Sequence, residues 1–331
     1  MEQHEGGGGG GEGGLTKSAA VAACTAMAVF YVAILYSPTL VLRLPPPISF
    51  KSYMIRRFVC AAISSVVSLV VCFFILPITR RDASNLFGVY GIRLDHTWQA
   101  LVFPLSLTSL MYSGSFALKF LSMIQASNEY LNSGGTVSVV CMKTILWKIV
   151  DWVVSLTSSI SSWRNYFVAP LTEELVFRAC MIPLLLCGGF STYTAIFLCP
   201  IFFSLAHLNH LLEVYAQQNF SLVKACLVVG LQLGYTVIFG AYASFLLVRT
   251  GHLTAPLVAH IFCNFMGLPV IFSRRSDCSF LCSLWFSGIV IVAFVLGMLS
   301  FVWMLFPLTA PQLYNTTTEK CSCWHGYCNW S

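Results

Sequence analysis

The stretch Asn165-Tyr-Phe-Val-Ala-Pro-Leu-Thr-Glu173-Glu174-Leu-Val-Phe-Arg178-Ala-Cys-Met-Ile-Pro-Leu-Leu-Leu-Cys187 is long and apolar enough to cross a bilayer, yet it holds two carboxylates and a guanidinium. A hydrocarbon core about 30 Å thick needs ~20 mostly apolar residues per helical span. Seven further apolar runs surround it, near residues 19 to 42, 56 to 79, 98 to 121, 190 to 212, 222 to 248, 253 to 273 and 280 to 306. They are separated by Pro, Gly or charged breaks such as Pro45-Pro46-Pro47, Arg80-Arg81 and Gly188-Gly189. The pattern predicts an all-α polytopic membrane protein of about eight transmembrane helices, with a polar cavity inside the membrane.

Composition agrees. Of 331 residues, 57% are hydrophobic and 30 carry a formal charge (18 Lys and Arg, 12 Asp and Glu), where a soluble chain of this length would carry roughly 80. The net charge of +6 does not imply nucleic acid, because the basic residues sit in small groups flanking apolar runs, as membrane anchors do. Seven cysteines (Cys60, Cys72, Cys180, Cys187, Cys199, Cys226 and Cys263) lie inside those runs, where a thiol behaves as a small apolar side chain, and no disulfide framework follows. The first apolar run has the length of a span and no clear small-residue cleavage site after it, so it is expected to stay as a span rather than act as a cleaved signal.

Three regions follow. Residues 1–18, with a Gly-rich block from Gly6 to Gly14, have too little side-chain area to offset ordering entropy and are expected to be a disordered tail. Residues 19–308 form the membrane domain, and 309–331 a C-terminal tail containing Cys321, Cys323 and Cys328 and the sequons Asn315-Thr-Thr317 and Asn329-Trp-Ser331. Thr144 to Leu156, with Lys148 and Asp151 beside Trp147 and Trp152, suits a helix lying in the interface. For topology, the loops joining runs 1 to 2, 3 to 4, 5 to 6 and 7 to 8 hold Arg43, Lys51, Arg56, Arg57, Lys119, Lys143, Lys148, Arg164, Lys224, Arg274 and Arg275, against Lys17, Arg80, Arg81, Arg93, Arg249 and Lys320 elsewhere. The larger set is expected on the cytoplasmic side.

An ionisable group within the bilayer is costly and marks function by default. The intramembrane set is short: Glu173, Glu174 and Arg178 in the fourth run, His207 and His210 toward the end of the fifth, and His260 in the seventh, with Asn264 one turn further on. Glu174 and Arg178, four apart with the acid first, share a helical face suited to an ion pair. Glu173 is turned about 100° from Glu174 and can face a different cavity. Phe203, His207 and His210 share a face of the fifth helix, and His260 and Asn264 one of the seventh. At 1.5 Å per residue, Glu173 lies about 13 Å and His207 about 8 Å below the same surface. A carboxylate able to take a proton from water, with imidazole and amide donors for a developing oxyanion, is the equipment for hydrolysing an acyl bond.

Glu173-Glu174-Leu-Val-Phe-Arg178, Phe203-Ser-Leu-Ala-His207 and His260-Ile-Phe-Cys-Asn264, in order on successive spans, resemble the EExxxR, FxxxH and HxxxN motifs of the type II CAAX prenyl endopeptidases. The match is strong over residues 165 to 273. The resemblance implies a cofactor-independent intramembrane protease of the endoplasmic reticulum membrane, its site open to the cytosol. It implies substrates that are farnesylated or geranylgeranylated CaaX proteins such as small GTPases, which lose their last three residues. It further implies that Glu173 activates water with help from His207, that His260 and Asn264 stabilise the oxyanion, and that Glu174 with Arg178 holds the first glutamate in place. No role for the Cys-rich tail follows from it.

Two other readings use the same residues. A proton-coupled transporter could employ the Glu and His groups as a relay, but it would distribute charge through the membrane's depth and often repeat itself in two halves. A zinc site could be drawn from Glu173, His207, His210 and His260, although the H-E-x-x-H arrangement with its intervening base is absent. Each polar pair could also be interhelical glue, and His210, next to Glu213 near the surface, a solvated helix end.

Overall fold

The computed structural model describes residues 15–76, 86–132, 151, 154–207, 222–269 and 280–314. All eight apolar runs are helical within those residues. The principal elements are α1 (Lys17–Ala33), α2 (Phe50–Ile75), α3 (Thr97–Met111), α4 (Ser113–Asn132), α5 (160–187), α6 (Thr192–Ala206), α7 (Leu222–Thr250), α8 (Thr254–Met266) and α9 (Phe280–Leu308). Short-range chemistry sets many of the ends. Thr16, Ser49 and Ser191 each accept a backbone N–H from three residues ahead, capping α1, α2 and α6. Gly189, Gly251 and Gly267, all at positive φ, follow the C-terminal ends of α5, α7 and α8. The Thr16 cap starts α1 at Lys17, within the stretch expected to be tail. Most of the candidate interfacial helix 144–156, and the tail beyond Tyr314, fall outside the described residues.

The count of eight crossings is not confirmed among the described residues. Among the described residues, four helical stretches are long and apolar enough to cross a membrane (Lys17–Leu40, Phe50–Ile75, Val229–Thr250 and Ser287–Leu308), or five if the bent α3–α4 pair is one span. Length and continuity set that smaller figure. The described parts of α6 and α8 have 15 and 13 residues, about 20 Å each against a 30 Å core, and α5 is divided by π turns. The run at 98 to 121 is broken at Tyr112, where α3 and α4 bend by 72°. The bend is pinned by Tyr112 Oη, which donates to the Gly267 carbonyl at 2.7 Å, and by Ser113 Oγ, which donates to the Ala293 carbonyl of α9 at 2.8 Å. Gly297 makes the second contact possible, since a Cβ there would collide with Ser113 and the Leu110 carbonyl.

α5 is the hub. Its residues from Val176 to Leu186 are buried on every side, the mark of a helix enclosed by others. α2 runs parallel to it: Ser65 Oγ donates to the Thr172 carbonyl at 3.5 Å and Cys72 Sγ to the Cys180 carbonyl at 3.5 Å, so seven residues along α2 match eight along α5. α6 and α7 pack beside each other against its far face, and α8 closes the third side. Outward, Val66, Phe74, Ile238, Leu299 and Trp303 are exposed on α2, α7 and α9, a surface that suits acyl chains and would be unfavourable in water.

Candidate active site

α5 is not a uniform α-helix where it carries charge. Two π-helical turns, Arg164–Val168 and Leu175–Cys180, bracket the α-helical Ala169–Glu174. Such wide turns are frequent at functional sites because they displace side chains from the regular 3.6-residue repeat. Glu174 and Arg178 nonetheless meet as their spacing requires, with Arg178 Nη1 3.2 Å from Glu174 Oε1 and both side chains at 0% exposure. The Arg178 guanidinium also lies over the Phe203 ring, 4.3 Å from its centroid, a favourable cation–π contact in a dry setting. Phe203 is thereby assigned to the wall that holds Arg178.

His260 of α8 completes the buried group and joins the two carboxylates. Its Nδ1 is 2.8 Å from Glu174 Oε1, and its Nε2 is 3.7 Å from Glu173 Oε2. An ionised carboxylate only accepts, so Nδ1 donates to Glu174 and fixes the ring's orientation. The His260 imidazole thus stands between the buried Glu174–Arg178 pair and Glu173.

Glu173 faces elsewhere, as the 100° turn predicts. It lines a cavity of about 980 Å³ together with His207, His260 and Asn264. Around them the wall is largely apolar, from Leu35, Met54, Phe58, Phe177, Leu231 and Phe239. His207 follows α6 directly, and its Nδ1 lies 2.8 Å from the Phe203 carbonyl. A carbonyl accepts, so Nδ1 carries hydrogen and Nε2 is the acceptor nitrogen of the neutral ring. Asn264 Nδ2 donates to the Asn165 carbonyl at 2.8 Å. His210 lies outside the described residues. Among the described residues, no three His, Cys, Asp or Glu side chains converge as a metal site.

Several participants carry no sequence signal of their own. Thr172 Oγ1 donates to the Val168 carbonyl at 2.8 Å and accepts from Tyr31 Oη at 3.0 Å, which ties α1 to the turn bearing Glu173. Gly240 of α7 lets the backbone approach Arg178: a Cβ there would lie 3.0 Å from Nη2 and 2.8 Å from Pro200 Cβ. A glycine inside an apolar helix is a general hint of close packing, but its partner is a tertiary fact.

Comparison with known proteins agrees with this arrangement. Residues 155–266 match the family model described as type II CAAX prenyl endopeptidase Rce1-like. The chain is 56% identical to CAAX prenyl protease 2 of Arabidopsis thaliana over 96% of this chain and 98% of the relative. It is 34% identical to CAAX prenyl protease 2 of Homo sapiens over 89% and 83%, and 34% identical to that of Caenorhabditis elegans over 65% and 72%. No solved structure matches it significantly. The motif set joined by α5, α6 and α8, carried within full-length similarity of this kind, makes the chain a member of the type II CAAX prenyl endopeptidase family, multi-pass membrane proteins with peptidase activity.

Proposed function

We propose that this protein removes the C-terminal tripeptide from farnesylated or geranylgeranylated CaaX proteins, such as Ras-type small GTPases, at the cytosolic face of the endoplasmic reticulum membrane. The observation that carries the reading is Glu173 Oε2 on the wall of a largely apolar cavity, 3.7 Å from His260 Nε2. The apolar wall suits a prenyl chain, whose burial contributes about 0.8 kcal/mol per CH₂.

In the mechanism, water donates one proton to Glu173 and directs the other to His207 Nε2, while its oxygen attacks the carbonyl carbon of the prenyl-cysteine. The resulting oxyanion accepts from His260 Nε2–H and from the second N–H of the Asn264 amide. Nδ1 already donates to Glu174, so donation from Nε2 as well requires the ring to carry both protons. The intermediate then collapses: the C–N bond breaks, Glu173 returns its proton to the departing amine, the second water proton leaves the new acid through His207 Nε2, and a prenyl-cysteine carboxylate and a free tripeptide remain.

The test is tripeptide release from a farnesylated CaaX peptide by purified protein in detergent. Wild type releases product, whereas Glu173→Ala and His207→Ala abolish release with the folded protein intact, and retained activity in either refutes the assigned roles. A chelator leaves the wild-type rate unchanged, and loss restored by added zinc replaces the glutamate mechanism with a metal-dependent one. No release by folded wild-type protein favours the proton-coupled transporter.

A further inference from the structure

The cavity that holds Glu173 also carries two guanidinium side chains that the mechanism does not use, Arg57 of α2 and Arg164 at the start of the first π turn of α5. The parallel register of α2 and α5 places them at one level. Arg57 lies eight residues before Ser65, Arg164 lies eight before Thr172, and Ser65 and Thr172 are in contact. Eight α-helical residues rise about 12 Å along α2, and eight along α5 somewhat less, because Arg164–Val168 is a π turn. Both arginines therefore stand roughly 10–12 Å along their helices from the turn bearing Glu173, and both belong to the set of basic residues expected on the cytoplasmic side.

Each is held in place by its neighbours. Arg57 Nη1 donates to Tyr53 Oη at 2.7 Å, with its guanidinium 5.5 Å from that ring. Arg164 Nε donates to Asn165 Oδ1 at 2.9 Å, and the backbone carbonyl of the same Asn165 accepts from Asn264. A single residue thus connects Arg164 to the Asn264 amide.

We infer that Arg57 and Arg164 bind the free C-terminal carboxylate of the substrate and so measure the distance from chain end to scissile bond. The inference rests on the proposed tripeptide-releasing activity and names its specificity residues. Three residues in extended conformation span about 10 Å, which is comparable to this separation. Guanidinium is the group suited to this task, since it stays charged and offers forked donors to a carboxylate. A chain lengthened or shortened by one residue moves its terminus ~3.3 Å off the pair.

The experiment compares kcat and KM for farnesylated CaaX peptides ending in a free acid, in a carboxamide, and in one extra residue. The proteins are wild type, Arg57→Gln/Arg164→Gln and Arg57→Lys/Arg164→Lys, reconstituted in zwitterionic and in anionic nanodiscs. Wild type is expected to prefer the acid over the amide by about tenfold or more in kcat/KM, chiefly through KM. It is expected to disfavour the lengthened peptide similarly. In the Gln pair both ratios collapse to below about threefold, and the Lys pair, which keeps the charge, retains an intermediate acid preference. A wild-type enzyme indifferent to acid and amide, or a Gln pair that slows all three peptides equally, overturns the inference while leaving the protease reading standing. A Gln pair whose rates change with lipid charge and not with the peptide terminus assigns the arginines to headgroup phosphates and also overturns it. Absence of release from every peptide by wild type overturns both.

Discussion

Replacing Arg178 by leucine removes the cation from an ion pair in which neither side chain is exposed, leaving Glu174 with His260 as its remaining partner. Breaking a buried pair in this way costs about 3–5 kcal/mol, because one charge stays in a low-dielectric site without compensation. Loss of the guanidinium over Phe203, at 4.3 Å, adds roughly 0.5–2 kcal/mol. Removing both charges should be milder than the two single changes suggest. The predicted coupling between Glu174→Gln and Arg178→Leu is at least about 2 kcal/mol, within the range seen for residues that share a buried network. Reversible unfolding of the detergent-solubilised protein by increasing SDS fraction, with circular dichroism as the readout, gives the four free energies of the cycle. Arg178→Leu within about 1 kcal/mol of wild type, or additive single effects, would falsify the idea that each of these buried charges depends on the other. Arg178→Lys is a sharper control, since an ammonium is a point charge and cannot reproduce the planar contact with Phe203.

Gly240→Ala forces a Cβ to within 2.8 Å of Pro200 and 3.0 Å of Arg178 Nη2. It is predicted to destabilise by about 1–3 kcal/mol as an overpacked contact and to lower activity along with stability. Gly234→Ala, on the same helix with open space around it, should lie within about 0.5 kcal/mol of wild type, and equal melting temperatures for the two variants would dismiss the close-approach role. A pH effect is expected at the opposite end of α7, where burial, reinforced by Arg93, pushes the His252 imidazole from 6.5 down to about 4, with Asp95 and the Tyr314 backbone opposing and His96 adding slightly. Because the folded value is the lower one, the stability from a neutral His252 is complete above about pH 6.5 and is lost as pH falls through about 4. Asp95, held low by its hydrogen bonds from Arg93, releases its contribution only below its ordinary 3.8, which leaves the interval from 6.5 to 4 to His252. Thermal melts across that interval should fall in wild type and flatten in His252→Gln, and parallel curves would contradict the assignment.

Elements whose geometry is local could be read directly from residue order. An i,i+4 acid and base on a helix must be neighbours, and Glu174 and Arg178 are; adjacent helical residues must diverge by about 100°, and Glu173 faces the cavity while Glu174 does not. The π turn that contains Arg178 did not undo this, since a separation of four residues still returns the chain to nearly the same face. The number of crossings was less legible. Apolar composition fixes what a segment tolerates around it, but whether it spans depends on its unbroken length, and Tyr112 bends one run while α8 has only 13 residues. Nothing in the residues around 112 distinguishes a bend from a straight span, because the contacts that hold it come from Gly267 and Ala293, about 155 and 180 positions away.

What the sequence alone determined is therefore the solvent, the helical class and the identity of the polar groups. A bilayer penalises every charge that lacks a purpose, so the few that remain inside apolar runs declare themselves. Only the tertiary structure decided how those groups are joined: that His260 holds Glu174 through one nitrogen and faces Glu173 with the other, that Tyr31 braces the Glu173 turn through Thr172, and that Arg57 and Arg164 line the same cavity as Glu173. The physical reason is that covalent spacing sets angle and rise within a helix, whereas the register between helices is set by side-chain packing, in which a glycine at 240 or a serine at 65 counts for more than any motif.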